Sequence, residues 1–362
     1  MQQDKIKLFI GRETMDIVSA LQKMDVNGNG ILFIIDEDEH LVGTLTDGDV
    51  RRWLISTGKL ESGISKIMGR TPRFLYEKDR GIATDFMIEN RVKAVPVLDA
   101  DRRIIDILFN KRMFDSLEQN QKDALGTTPI IIMAGGKGTR LYPYTKILPK
   151  PLIPIGDIPI IERIMNRFSQ YGATKYWITV NYKKEMIRSY FSDVQLDYKI
   201  EYVEEDKPLG TAGSIKLINQ KFDKPIIVTN CDILIDADYE KILEYHNNSE
   251  NDMTIVSSLK NTVIPYGVLH TSEQGRIDSI EEKPQISYLV NTGMYVINPQ
   301  IIDLIPENCM FHMTDLADKL LAKGLRVGMY PISEQSFLDM GEFSEMKKME
   351  ERINNGFEED NK

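Results

Sequence analysis

Residues 129–133 read PIIIM, and the ten residues that follow, AGGKGTRLYP, contain three glycines. A continuous apolar run of this kind suits a strand covered on both faces, and such strands belong to parallel sheets flanked by helices. The glycine-rich turn then falls at the C-terminal end of a buried strand, where open α/β sheets bind ligands. Strand-like and helix-like segments continue to alternate downstream. Helical spacing covers 158–170, a strand 176–181, a helix 186–191, a strand 199–203, a helix 212–218 and a second buried strand 225–230. This alternation predicts an α/β fold with a mixed, mostly parallel sheet. Beyond residue 250 the pieces MTIVSSL, YGVLHT and GMYVIN are strand-like and extend the sheet or add a lid to it.

The first third of the chain is patterned differently. GILFIIDEDEHLV (Gly30 to Val42) and KAVPVLDADRRII (Lys93 to Ile105) are each two short apolar runs around an acidic turn. Both read as β-hairpins. Helix-like stretches precede them (Met15 to Met24, Gly81 to Asn90) and follow them (Asp47 to Thr57, Lys111 to Gln119). The spacing makes an internal repeat of roughly 60 residues. NQKDALGTTP, from Asn120 to Pro129, has the composition of a linker. The expected organisation is a repeat domain over 1–120, a linker over 121–128 and a larger domain over 129–355.

Composition narrows the function classes. The formal charge is −10, and Lys and Arg form no basic stripe, so nucleic acid is not an expected partner. Cys231 and Cys309 are far apart and have no partnering CxxC or HxxxH, which argues against a disulfide framework or a zinc site. The start has no apolar run after a basic head, and no window approaches the ~20 apolar residues of a membrane span. A cytoplasmic enzyme without a membrane partner is expected.

The stretch MAGGKGTRLYPYTKILPKP (133–151) carries most of the chemistry. Gly135, Gly136 and Gly138 permit a sharp turn and close approach to phosphate, flanked by Ala134 and Thr139. Arg140 can fork onto phosphate oxygens, and Lys150 is a point charge between Pro149 and Pro151. A mobile turn is the plain alternative for a glycine loop by itself. The GxGxxG and GxxxxGK[ST] spacings are absent, which counts against dinucleotide and kinase chemistry. Asn230-Cys231-Asp232 closes the second buried strand. Its Asp suits Mg²⁺ or, equally, a helix cap.

At this point the chain resembles the sugar nucleotidyltransferases, whose signature is GGxGTRLxPxTxxxPKP. The resemblance covers about residues 129–350 and implies a Rossmann-like nucleotide-diphospho-sugar transferase fold. It implies nucleotide contacts at Ala134, Gly135, Gly136, Gly138, Thr139, Gly210, Thr211 and Asn230, with Arg140 on the leaving pyrophosphate and Lys150 neutralising developing charge. It also implies Mg²⁺ on Asp232 and on Asp339 of FLDMG. Sugar-phosphate contacts fall to Gly267, to Glu282 and Lys283 of EEKP, and to Asn291 and Thr292 of NTG. The implied reaction joins a nucleoside triphosphate and a sugar 1-phosphate and releases pyrophosphate. PLGTAGS (208–214) is frequent among guanylyltransferases, and the preceding acids point the same way. Guanine presents N1–H and N2–H₂, two donors that suit a carboxylate. Glu204 or Glu205 would read them, with Glu205 the assigned contact, which favours GTP.

A repeat domain ahead of such a transferase resembles the glucosamine-1-phosphate guanylyltransferases of bacterial legionaminic acid synthesis. That implies GDP-glucosamine as product, with mannose-, heptose- or glucose-1-phosphate as alternative acceptors. The repeat itself resembles a tandem CBS pair, an α+β module that commonly binds adenine nucleotides and often dimerises. GTLTDGD (43–49) would place Thr46 near phosphate and Asp49 on ribose. The second copy lacks these residues. At most one adenine-nucleotide site and a homo-oligomer are therefore expected. A nucleotide-sensing binding protein with an inactive transferase domain is the reading from another class.

Overall fold

The computed structural model describes residues 3–110, 123–343 and 345–351. The expected helix at 111–119 lies outside the described residues. Contacts divide the chain into two compact bodies. One holds the described residues up to Asn110 together with Ser257–Val290 and Pro331–Gln335. The other holds Asp123–Val256, Asn291–Tyr330 and the residues from Ser336 onward.

In the first body the repeat is explicit. Strands β1 (Ile10–Arg12), β2 (Ile31–Ile35) and β3 (Leu41–Thr46) form a sheet in that order, with helix α1 (Ile17–Asn27) between the first two and α2 (Asp47–Thr57) after the third. Strands β4 (Leu75–Tyr76), β5 (Ala94–Leu98) and β6 (Ile104–Phe109), with α3 (Ala83–Glu89), repeat the pattern. In each sheet the first strand pairs parallel and the last antiparallel. The register shifts at matching places, Ile34/Ile35 and Val97/Leu98. The acidic turns are alike too. Asp36 Oδ1 accepts from the amides of Asp38 (3.0 Å) and His40 (2.9 Å), and Asp99 Oδ1 from those of Asp101 (2.9 Å) and Arg103 (2.9 Å). An Asp side chain thus replaces a backbone acceptor in both turns. Phe33 and Leu41 of one copy pack with Ala94, Leu98 and Ile107 of the other in one core. Each sheet buries apolar side chains against the other copy.

The second body is built on β7 (Ile130–Met133), whose four residues are all buried. Around it lie α4 (Ile160–Ser169), β8 (Lys175–Val180), α5 (Lys184–Asp193), β9 (Lys199–Glu204), β10 (Ile226–Asn230), β11 (Ile233–Ile235) and α6 (Tyr239–Asn248). Then come β12 (Met253–Val263), β15 (Gln285–Ile297), α7 (Met313–Ala322), β16 (Val327–Ile332) and β17 (Phe337–Asp339); the ribbon strands β13 (Val268–Thr271) and β14 (Ile277–Glu281), between β12 and β15 in sequence, belong to the first body. The large sheet runs β9-β8-β7-β10-β15-β12-β16. The pairs from β9 to β10 are parallel, and β10 pairs antiparallel with β15. This is the mixed, mostly parallel α/β sheet expected.

Side chains above and below the sheet explain the helices. Ile160, Ile161, Ile164, Met165 and Phe168 form the buried face of α4, and Phe168 stacks on Tyr239 of α6 at 4.5 Å between ring centroids. Met313, Leu316, Ala317 and Leu320 of α7 join Ile131, Met133 and Val228 in one cluster. The 212–218 segment departs from the expected single helix. Gly210–Gly213 form one α-turn and Ser214–Leu217 continue as a tighter 3₁₀ turn. The ends of two glycine-flanked short turns leave no length for a regular helix.

Candidate active site

The second body places the glycine loop where the sequence predicts. β7 lies between β8 and β10, with Met133 opposite Thr179 and Asn230. The Ala134 amide donates to the Thr179 carbonyl at 3.0 Å, so Ala134 anchors the loop to the sheet. Beyond it a cavity of about 410 Å³ opens, lined by Gly135, Gly136, Gly138, Thr139, Arg140, Lys150, Glu205, Gly210, Thr211, Asn230 and Asp232, among others. That volume is in the range of small-ligand pockets.

A second cavity, about 260 Å³, is lined by Arg140, Asn230, Asp232, Asn291, Thr292, Gly293 and Asp339, among others. The two cavities share Arg140, Asn230 and Asp232. Asn291 is set by two bonds: its Nδ2 donates to the Tyr295 hydroxyl at 2.7 Å, and its Oδ1 accepts from the Gly293 amide at 2.9 Å. Thr292 is buried, and its hydroxyl donates to the Val256 carbonyl at 2.7 Å. Its side chain therefore shapes the wall.

Lys150 sits in a short 3₁₀ turn stiffened by Pro149 and Pro151, and its ammonium pairs with the Asp232 carboxylate. Asp339 reaches the same place through β17, which pairs antiparallel with β11 so that Asp339 stands opposite Ile233. The Met340 amide donates to the Asp232 carbonyl at 2.8 Å and locks this joint. Burial pushes the Asp339 carboxyl above its usual range, and the neighbouring Asp232 charge pushes the same way. A Cβ on Gly341 would lie 3.1 Å from both Asp339 oxygens and 3.3 Å from Arg140 Nη1, so the guanidinium and the carboxylate border the same gap.

This donor set fits Mg²⁺. Two carboxylates converge although burial and then the charge of Asp232 raise Asp339, and a divalent cation relieves the repulsion. Among the described residues no cluster holds three or more metal-ligating side chains. A two-carboxylate site accords with the habit of Mg²⁺ to complete its shell with water and substrate phosphates.

The acids at 204 and 205 separate cleanly. Glu204 ends β9, is exposed, and is held by Lys184 and Arg188. The hydrogen bond from Lys184 draws its carboxyl below the usual range. Glu205 is buried and lines the first cavity. Its Oε2 accepts from the Leu209 amide at 3.1 Å, and burial raises its carboxyl. A Cβ on Gly135 would come within 2.5 Å of Glu205 Oε1, so a side chain there would displace the Glu205 carboxylate. Met310 and His312 also line this cavity. They belong to none of the motifs, and nothing local in their sequence marks them.

Gly267, Glu282 and Lys283 belong to the first body, at the base of the β13–β14 ribbon. Gly267 and Glu282 are brought together, with Glu282 Oε2 lying 3.0 Å from where a Gly267 Cβ would be. Lys283 follows with a left-handed backbone, φ 49°. Also in the first body, Thr46 and Asp49 form a capping box on α2. Asp49 Oδ2 accepts from the Thr46 amide (2.8 Å) and hydroxyl (2.6 Å), and the Asp49 amide donates to Thr46 Oγ1 at 3.3 Å.

The nucleotidyl transferase family model matches residues 130–356, well over half of the chain, and the chain belongs to that family. Residues 9–56 match the CBS domain model. The chain is similar to the mannose-1-phosphate guanyltransferase of Debaryomyces hansenii, 36% identical over 184 residues, which are 48% of this chain and 51% of the relative. It is equally similar to the UTP–glucose-1-phosphate uridylyltransferase of Synechocystis sp., 36% identical over 215 residues, 54% of this chain and 55% of the relative. The chain thus spans about half the length of the curated relatives it matches. Among solved structures, HddC from Yersinia pseudotuberculosis aligns with a TM-score of 0.50 and 27% identity over 63% of this chain and 100% of that one.

Proposed function

We propose that this chain transfers a nucleoside monophosphate from a nucleoside triphosphate to a sugar 1-phosphate, releasing pyrophosphate. The observation that carries this is the pair of adjoining cavities sharing Arg140, Asn230 and Asp232, with Lys150 on one side and Asp339 on the other. One cavity takes the triphosphate and the other the sugar phosphate, so the phosphates meet at the shared residues. A sugar-phosphate oxygen attacks the α-phosphorus. The new P–O bond forms as the α–β bridging bond breaks, and the electron pair leaves with pyrophosphate. The attacking oxygen is already ionised at neutral pH, so no general base is needed. Arg140 and Lys150 hold the phosphates against their own repulsion and stabilise charge on the leaving group. Asp232 and Asp339 would hold Mg²⁺, which would supply neutralisation of the phosphate charge.

Glu205 supports guanine as the base. A buried carboxylate beside the glycine loop matches N1–H and N2–H₂ of guanine. Uracil and thymine offer one donor between two acceptors and leave one carboxylate oxygen opposed by a carbonyl. The guanyltransferase relative agrees, while the uridylyltransferase keeps the alternative under test. For the acceptor we take glucosamine 1-phosphate, giving GDP-glucosamine for legionaminic acid assembly, with Asn291 and Thr292 beside the sugar. Mannose 1-phosphate is the rival, favoured by the relatives' names. The repeat domain would hold an adenine nucleotide at Thr46 and Asp49 and join two copies of the chain.

Pyrophosphate release with Mg²⁺, measured across GTP, UTP, dTTP, CTP and ATP and a panel of sugar 1-phosphates, tests all of this. Release confined to GTP and glucosamine 1-phosphate is expected. Release with another pair keeps the reaction and replaces the substrates, and no release with any pair overturns the reaction.

A further inference from the structure

Met310 and His312 face the same cavity as Glu205, yet the reaction outlined above gives them no role. Their position is not accidental to a loose loop. The Phe311 amide donates to the Leu209 carbonyl at 2.9 Å, and the amides of Ala212 and Gly213 donate to the Phe311 carbonyl at 2.9 and 3.0 Å. The Met313 amide donates to Thr211 Oγ1 at 3.0 Å. Segment 309–313 and the loop 209–213 therefore form one backbone-bonded piece. Gly210 shows how close the contact is. Its φ is +78°, and a Cβ there would stand 2.7 Å from the Phe311 carbonyl oxygen and 3.1 Å from His312 Cε1.

His312 is exposed toward solvent and cavity, and its own amide donates to Asp315 Oδ2 at 2.7 Å, which fixes it at the start of α7. The Thr211 amide donates to His312 Nδ1 at 3.5 Å. A neutral ring that accepts at Nδ1 carries its proton on Nε2 and is a donor there. Beside the loop 209–213 the cavity thus presents Glu205 as a buried acceptor and His312 as a donor. Guanine presents the matching set: N1–H and N2–H₂ for the carboxylate, and the acceptors O6 and N7 on its other edge. Adenine carries an acceptor at N1 and a donor at N6, and fails against Glu205. Met310, more than half exposed, adds a thioether suited to the face of an aromatic base.

We propose that Met310 and His312 form the second wall of the nucleobase subsite, with His312 Nε2–H donating to the O6/N7 edge of guanine. This rests on the guanylyl reading and makes His312 a second determinant of base choice beside Glu205.

The test is equilibrium binding to the full chain with Mg²⁺, by calorimetry, of GTP, 7-deaza-GTP (no N7 acceptor) and 6-thio-GTP (a weak acceptor at position 6), with UTP and ATP as non-guanine controls. Wild type, His312→Ala and His312→Gln are compared, the last keeping an N–H donor. Wild type is expected to prefer GTP over at least one analogue about tenfold. His312→Ala should lose that preference, and His312→Gln should recover part of it. A purely structural role for His312 would weaken all three ligands alike and leave the ratios unchanged, and that result overturns the inference. So does a wild-type protein that binds GTP and both analogues equally. Preference of the wild type for a non-guanine nucleotide overturns the guanylyl reading first and this inference with it. Preference for GTP with unaltered ratios in His312→Ala overturns the inference alone.

Discussion

Lys150 and Asp232 form an ion pair at the seam of the two cavities, with only 10% and 14% of their side chains exposed. So enclosed a pair is weakly screened by solvent. It also occupies both groups that the proposed reaction needs, one for phosphate and one for the cation. Substrate entry must exchange these partners.

Removing Lys150 should therefore separate two effects. Lys150→Met leaves the Asp232 carboxylate without its cation, so Mn²⁺ should bind the nucleotide-free protein several-fold more tightly. Turnover should fall by about 100-fold or more, as when a single charge-stabilising group is lost. Mn²⁺ titration followed by magnetic resonance, beside pyrophosphate release, checks both. An unchanged Mn²⁺ affinity would mean that the pair does not compete with the metal.

Asp339→Asn addresses the other carboxylate. Removing its charge ends the repulsion with Asp232, so the metal-free variant should be at least as stable as wild type to urea. Its Mg²⁺ affinity should fall by at least the ~10–100-fold that loss of a mere outer-sphere partner costs a metal site. Lower stability with intact Mg²⁺ affinity would reassign Asp339 to a structural role at the β11–β17 joint.

Glu205 makes a prediction about pH. Burial raises its carboxyl, so the folded protein holds this proton more tightly than the unfolded chain does. The stability this confers is present below the unfolded value and is lost as pH rises through the folded value. Glu205→Gln removes that loss, and at pH 8 the ligand-free variant should melt no lower than wild type. GTP turnover behaves oppositely. Wild-type kcat/KM for GTP should decline as pH falls through the raised carboxyl range. The Gln variant should show a flat profile at about 10–100-fold lower efficiency, the worth of a hydrogen bond to a charged acceptor. A pH profile unchanged by the substitution would separate Glu205 from the base.

Thr46→Ala tests the repeat domain. Loss of the capping box should cost about 1 kcal/mol of stability, read from urea unfolding. Separately, AMP, ADP or ATP should raise the wild-type melting temperature, and Asp49→Asn should abolish the shift. If none of the three stabilises the wild type, the capping box is structural and the domain serves another purpose.

Much of this was readable from residues alone, for physical reasons particular to each stretch. PIIIM has the pattern of a strand covered on both faces, and all four residues of β7 are buried. The two acidic turns repeat because Asp36 and Asp99 make the same bonds to amides two and four residues on. Thr46 and Asp49 stand at capping-box spacing. In each case the pattern and the structure it forms lie within a few residues of one another.

Other features had no local signature. Glu204 and Glu205 are chemically alike, and only their places at and just beyond the end of β9 send one to Lys184 and Arg188 and the other into the cavity. Asp232 and Asp339 meet because β11 and β17 pair across a long stretch of intervening chain. Met310 and His312 reach the cavity because the Phe311 backbone bonds to the 209–213 loop. The sequence by itself determined which strands, turns and charged groups exist, since these follow from short-range periodicity and backbone preference. The tertiary structure decided which of those groups face one another, because strand pairing and backbone contact between distant segments depend on the whole packed sheet.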